Sequence, residues 1–280
     1  LGNLKRAISD EGIASDLYIM QSNGGTRGAE AAMDKPVHTI LSGPAAGVIG
    51  SVALSLEAGE KNIISVDMGG TSFDVCLSYQ GEIRRTQESE IDRLPVKVPM
   101  VDVHTLGAGG GSIAWVDPGG AMRVGPQSAG AEPGPASYGK GGLEPTVTDA
   151  NLVLGRLNPN GFLGGGMPLD VELARKSVYD RLAAPLRLTV EEAADGIVRV
   201  VNAGMLKGIR VVSVTKGYDP REFSLIAFGG AGPLHACDLA KELRIPRVLI
   251  PAYPGVLSAL GIAVANVVKD YSQTVMFRGS

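Results

Sequence analysis

The chain has 280 residues, 44% hydrophobic and 20% charged, with a formal net charge of -3. That balance excludes an intrinsically disordered chain and allows one or two domains with a sizeable buried core. Lys and Arg are scattered rather than striped, which argues against nucleic-acid or anionic-lipid partners, and no apolar run reaches the roughly 18 residues that a membrane span needs.

Cys76 and Cys237 are the only cysteines. One falls in an expected core strand and the other on an expected helix, so no disulfide framework is indicated and a reducing cytoplasm is the default. Leu1 to Arg6 lacks the apolar stretch of a signal peptide. With no initiator Met, the sequence reads as a piece of a longer protein. The 39 Gly and 17 Pro cluster between apolar segments, as in α/β proteins with glycine-rich ligand loops.

In chain order, Leu4, Ala7 and Ile8 predict a helix over 4–13, and Asp16 to Gln21 a short buried strand that runs into the polar loop Ser22 to Thr26. Ser42-Gly43-Pro44 opens a helix, with Ser42 as N-cap, that stops by Gly59. Its small residues suit either close helix packing or an anion at the helix start. Asn62 to Asp67 and Phe73 to Tyr79 read as two strands around a Gly-Gly turn, with a third strand from Glu82 to Thr86. From Gln87 to about Leu188 comes a long Gly/Pro-rich insertion with short strands at 113–116 and 122–124 and an irregular loop over 125–142. Thr189 and Glu192 form a capping-box-like start to a long amphipathic helix that ends at Gly217. Phe223 to Phe228 is a strand, Pro233 opens a helix over 234–243, Arg247 to Ile250 is a strand, and a last helix covers 256–264. Residues after Asp270 read as a frayed or cut tail.

Two glycine corners carry the chemistry. Val66-Asp67-Met68-Gly69-Gly70-Thr71-Ser72-Phe73-Asp74-Val75 ends a strand in a carboxylate, exposes backbone N–H groups beside two hydroxyls, and adds a second carboxylate. Phosphate with a divalent cation calls for that combination, and an ordinary Gly-Gly hairpin is the plainer alternative. Ser224 to Pro233 is a strand, a turn through Gly229, Gly230, Ala231 and Gly232, and a helix start, where bare backbone accepts a nucleoside. Two such corners from one sheet would form the lips of a nucleotide cleft. Two other signals fail on context. Gly134 to Gly141 lacks the Ser or Thr and the leading strand of a P-loop, and Gly107 to Ser112 lacks the third glycine of a dinucleotide fingerprint.

The Asp67 hairpin resembles the second phosphate motif of the actin and sugar-kinase superfamily, and Phe228 to Pro233 its adenosine motif. More specifically, the chain resembles the hydantoinase A/5-oxoprolinase family. The resemblance is carried by Met20 to Gly25, Leu41 to Val48, the Asp67 hairpin, Gly107 to Ser112, Pro145 to Asn151 and Phe228 to His235. It implies an actin-like (ribonuclease H-like) mixed α/β sheet flanked by helices with a long Gly/Pro-rich insertion. It also implies ATP and Mg²⁺ (or Mn²⁺) as cofactors, and ATP-dependent opening of a small cyclic amide after phosphorylation of the amide oxygen. A hydantoinase B-like subunit or domain would be the partner, within an oligomer. Relatives that carboxylate acetone or acetophenone keep a carboxylase role open, and a non-catalytic actin-like module is the third reading.

On this reading residues 1–60 are the remnant of a preceding subdomain with a connecting helix. Residues 61–270 are the nucleotide-binding domain, with the insertion at about 87–188, and 271–280 are a tail. The family's other Gly-Gly-Thr phosphate motif, in a preceding domain, has no copy here. The resemblance assigns Asp67 to a metal-bound water and the amides of Gly69, Gly70 and Thr71 to phosphate oxygens, with Ser72 adding a hydroxyl. Asp74 either orients metal or water or holds the hairpin. Gly229, Gly230, Ala231 and Gly232 face the adenosine. Asp102 and His104 are candidate contacts to substrate, metal or partner, with a structural histidine as the alternative. Asp149 and Asn151 are either cleft residues or an N-cap for a turn over 152–157. His235 and Cys237 read as packing residues.

Overall fold

The computed structural model describes residues 1–91 and 94–271, so the tail drawn at 271–280 lies, from 272 on, outside the described residues. Its helices of six or more residues are α1 (Gly2–Asp10), α2 (Ala29–Asp34), α3 (Ser42–Glu57), α4 (Val147–Val153), α5 (Val171–Val178), α6 (Val190–Val212), α7 (Gly232–Leu243) and α8 (Leu257–Val264). The strands that matter for the site are β1 (Ile63–Met68), β2 (Phe73–Tyr79), β3 (Glu82–Ile83), β4 (His104–Leu106), β5 (Ser112–Val116), β6 (Met122–Ser128), β7 (Ser224–Phe228) and β8 (Arg247–Leu249).

The chain divides into two compact units. Of the described residues, 1–50, 85–91, 94–101 and 258–271 form one, and 51–84 and 102–257 the other. In the first, Tyr18–Met20 pairs with Thr26–Gly28. Gly261 of α8 lies against α3, with its Cα so near the Ala46 carbonyl that no side chain fits. The Gln21-Ser22-Asn23 loop is buried: the Ser22 hydroxyl donates to the carbonyls of His38 and Ile40, and the Gln21 amide to that of Val268.

The second unit is a mixed sheet in the order β4-β2-β1-β7-β8, with β3 paired to the far end of β2. β1, β2 and β4 run antiparallel, and β7 and β8 lie parallel to β1. Strand alternation then sorts the side chains. Ile64, Val66 and Met68 of β1, Phe73, Val75 and Leu77 of β2, and Leu225 and Ala227 of β7 enter the main core with Ile197, Val201, Met205 and Ile209 of α6 and Leu239 of α7. Ile63 and Ile226 face the other way and pack with Val52 of α3. Asp67 and Asp74 share this second face, so burying the apolar set of β1 and β2 also fixes where both carboxylates point.

Sequence and structure part at several places: the long helix expected to end at Gly217 ends at Val212, and the strand expected to be buried over 16–21 is Tyr18–Met20 with Tyr18 exposed. The third meander strand is β4, not residues 82–86: β3 ends after Ile83, and Arg85–Thr86 pairs with Met100–Val101 in the other unit. The hairpin turn is a loop of four residues, Gly69 to Ser72, rather than a two-residue Gly-Gly turn. Within the stretch read as an irregular insertion, α4 and α5 are helical, capped by Thr146 and Asp170. Helix α4 has Asp149 at its third position in a capping box with Thr146, where the sequence suggested a cap for a turn further on. The expected capping box of α6, Thr189 with Glu192, is present.

Candidate functional site

Both glycine corners lie in the second unit. Asp67 stands directly opposite Asp74 across β1 and β2. Asp74 is held: its carboxylate accepts from the Thr105 hydroxyl at 2.5 Å and the Ser72 hydroxyl at 3.2 Å. The Asp67 carboxylate has no hydrogen bond or ion pair among the described residues. Burial, and then the facing Asp74, pushes its pKa up from 3.8 to about 6. A half-buried carboxylate beside another and without a counter-charge is a natural seat for a cation.

The corners touch. Phe228 at the end of β7 pairs opposite Asp67. Gly229 follows in a left-handed conformation (φ +78), where a Cβ would stand 2.2 Å from Asp67 Oδ1. The Ala231 N–H donates to the Met68 carbonyl at 2.9 Å, and that of Gly229 to Pro254 at 3.0 Å. The Gly107 to Ser112 loop lies across the hairpin. Gly110 N–H donates to Gly69 at 2.9 Å and Gly111 N–H to Gly70 at 2.7 Å. A Cβ on Gly109 would sit 2.5 Å from the Gly70 backbone, so the two loops meet main chain to main chain. Thr148 of α4 fixes this loop from behind, its N–H and hydroxyl both donating to the Gly110 carbonyl.

Gly69, Gly70, Gly110, Thr148, Gly230 and Ala231 line a single cavity of about 390 Å³. The same cavity is lined by Tyr138, Leu157, Phe162, Leu163 and Leu234, with the Tyr138 and Phe162 rings 5.6 Å apart. Its lining combines bare glycine backbone with apolar and aromatic side chains. A Cβ at Gly69, Gly70 or Gly230 would meet no protein atom within 4 Å, so nothing inside the chain requires glycine there. The N–H groups of Gly70, Thr71 and Gly230 have no partner among the described residues. The Gly69 N–H is different: it donates to the Ser72 carbonyl at 3.1 Å, closing the hairpin loop, and the Ala231 N–H is likewise occupied.

Other candidates lie outside the cavity lining. Asp102 is ion-paired with Lys216 and stands 3.9 Å from Arg84. His104 sits in β4 opposite Val75. Asp149 is fully buried, and its carboxylate accepts from the N–H groups of Ala136, Ser137 and Thr146 and from the Thr146 hydroxyl. With these acceptor bonds Asp149 anchors the 136–137 turn to α4. Asn151 is also buried, its amide donating to the Val147 carbonyl at 3.0 Å. Gly232 is the buried first residue of α7.

Sequence reasoning missed Gly110, Thr148 and the aromatic wall. The glycine loop and the Pro145 to Asn151 stretch were visible as motifs, but nothing local says that they stack on the hairpin. Tyr138 and Phe162 lie in segments without periodicity. Among the described residues no cluster of three His, Cys, Asp or Glu side chains forms a metal site. A cation here would rest on one or two carboxylates plus ligand oxygens and water, the usual habit of Mg²⁺.

The family model for hydantoinase/oxoprolinase matches residues 1–271, and the chain belongs to that family. Caprolactamase subunit alpha of Pseudomonas jessenii is 46% identical over 92% of this chain and 37% of its own length. The crystal structure of the ATP-dependent caprolactamase of the same organism superposes with TM-score 0.83 at 43% identity, covering 95% of this chain and 38% of that one. A nucleotide-free acetone carboxylase superposes with TM-score 0.87 at 37% identity, covering 94% and 37%. The chain thus spans about two fifths of the length of these relatives.

Proposed function

We propose that the second unit binds ATP in the Gly70–Gly230 cavity, and that the full protein uses it to phosphorylate the oxygen of a cyclic amide before ring opening. The observation that carries this reading is the contact of the two corners: Asp67 lies against Gly229, while unpartnered N–H groups and glycines without internal cause line one cavity beside them. The polyphosphate would lie along the Gly70 and Thr71 amides and the Thr71 hydroxyl, with Ser72 and Asp74 holding the loop. The nucleoside would lie along Gly229, Gly230 and Ala231, its base against Tyr138 and Phe162. Asp67 would hold Mg²⁺ or Mn²⁺, directly or through water. That ion would neutralise phosphate charge as it develops during transfer.

The chemistry follows from the substrate. An unstrained amide is a poor electrophile, and phosphate on its oxygen makes the carbon attackable. The amide oxygen attacks the γ-phosphorus and ADP leaves. Water would then add to the carbon and the ring nitrogen would leave with a proton as the amine, giving an acyl phosphate; a second water would attack the same carbon and expel phosphate carrying the former amide oxygen. In this reading the nucleotide-binding domain expected over 61–270 consists of the second-unit residues of that range, 61–84 and 102–257. The remaining machinery, a hydantoinase B-like subunit or domain in a larger assembly, lies elsewhere, in a cytoplasm where ATP is at hand and both free cysteines stay reduced.

The match to an acetone carboxylase favours a second reading, the nucleotide-binding part of a carboxylase. Assay of the full-length complex separates the two. Phosphate release that depends on a lactam, hydantoin or 5-oxoproline, with ¹⁸O from the amide carbonyl appearing in the phosphate, supports the hydrolase. Release that depends on a ketone and bicarbonate replaces it with the carboxylase. Mg-ATP binding with no chemistry in the intact complex leaves a nucleotide-switched module.

A further inference from the structure

Helix α7 begins at the cavity, and in its first turn His235 is fully buried. The ring is held from both sides. Nδ1 lies 2.7 Å from Asn202 Oδ1 on α6, and Nε2 lies 3.4 Å from Asn151 Nδ2 on α4. The orientation of each amide is set independently: Asn151 Nδ2 also donates to the Val147 carbonyl at 3.0 Å, and Asn202 Nδ2 to Asp238 at 3.4 Å. Asn202 therefore presents an acceptor and Asn151 a donor. Only a neutral ring with its proton on Nδ1 satisfies both. Burial, and then the nearby Arg156, pushes the imidazole pKa down to about 4, against the opposing pull of Asp238, so the ring is neutral at physiological pH.

We propose that His235 is the positioning residue of the cavity, a neutral clamp that ties α4 and α6 to the first turn of α7. Two of the three helices, α4 and α7, carry parts of the site, and α6 packs under the sheet as their common support. Thr148, one turn before Asn151 on α4, pins the Gly110 loop that lies on the hairpin. The Gly230–Ala231 lip leads straight into α7. The clamp thus sets the spacing between the lip and the hairpin side. Packing alone would need an apolar residue here: a buried imidazole costs free energy unless it is hydrogen-bonded, and both ring nitrogens are, although the Asn151 Oδ1 has no partner among the described residues. Outside the clamp, Asp238 accepts from Arg156 at 3.1 Å.

This inference rests on the nucleotide reading for its ligand but not for its test. In the full-length protein, compare His235→Gln, which keeps one donor and one acceptor, with His235→Leu, which keeps the bulk alone. Hydrogen exchange of the ligand-free proteins reads the clamp itself. In His235→Leu, protection falls in residues 146–151 and 230–235 while β1 and β2 stay protected, and in His235→Gln most of it returns. Mg-ATP titration then reads the consequence: affinity at least about tenfold weaker in His235→Leu and within about threefold of wild type in His235→Gln, since leaving buried partners unpaired costs on the order of a tenfold effect or more. A folded His235→Leu protein with wild-type exchange at both segments overturns the clamp. Altered exchange with unchanged Mg-ATP affinity overturns its positioning role. A wild-type protein that ignores Mg-ATP refutes the nucleotide reading, and exchange still decides the clamp.

Discussion

Asp67 has two demands on it. In the ligand-free protein its carboxylate is partly buried, faces Asp74 and has a pKa of about 6, against 3.8 in the reference state. The folded protein therefore holds a proton that the unfolded chain releases between those values. Stability contributed by this group is present at low pH and is lost as pH rises through about 6. Asp67→Asn removes that loss. Denaturant titration at about pH 7.5 is expected to show the variant more stable than wild type by about 1–2 kcal/mol, allowing for its partial exposure, with the gap closing towards about pH 4. The same change is expected to abolish Mg²⁺-dependent tightening of ATP binding. A destabilised variant at the higher pH would mean that Asp67 is structurally satisfied after all. The glycines divide similarly. Gly109→Ala drives a Cβ to 2.5 Å from backbone and should cost several kcal/mol, whereas Gly70→Ala meets open space and should leave stability nearly unchanged while weakening ATP by at least about tenfold. Thermal melts with calorimetry separate the two. The Asp67 hairpin was legible because its residue types are rare together. The different jobs of the glycines were not, since Gly69 closes the loop with its own amide and Gly109, in another loop, packs on the distant Gly70 backbone, a relation set by the fold alone.

At the level of elements, α4 joins the Gly110 loop to the 136–137 turn through Thr148 and Asp149. It is short, and short helices depend on caps and tertiary contacts rather than propensity. Its capping box doubles as the anchor of the 136–137 turn through Asp149. Asp149→Ala would strand three buried N–H groups and is expected to destabilise the protein by about 3 kcal/mol or more. Asp149→Asn should cost less, because one acceptor oxygen remains; equal loss in both variants, by denaturant unfolding, would contradict the anchoring role. Strongly periodic elements were legible: α6 through its capping box and apolar stripe, β1 and β7 through apolar runs. β4 was not, because three residues, His104 to Leu106, carry no pattern and join the sheet only by pairing with β2. Helices α4 and α5 were hidden among glycines and prolines that read as loop.

For the molecule as a whole, the sheet brings sequence-distant corners together by strand order: β1 and β7 are neighbours, so their ends are too. The pairing of the two motifs was legible in the sequence through the superfamily resemblance, while the aromatic wall was not. Ligand that binds only the folded state stabilises it, by about 2.7 kcal/mol at a hundredfold excess over Kd. Mg-ATP should raise the melting temperature of the second unit. The most direct measurement is a crystal structure of the full-length protein grown with Mn²⁺ and a non-hydrolysable ATP analogue. The account predicts anomalous manganese signal beside the Asp67 carboxylate, phosphate density over the Gly70 and Thr71 amides, and the adenosine along Gly230 and Ala231 facing Tyr138 and Phe162. Nucleotide bound with its phosphates away from the hairpin, or manganese away from Asp67, would contradict it.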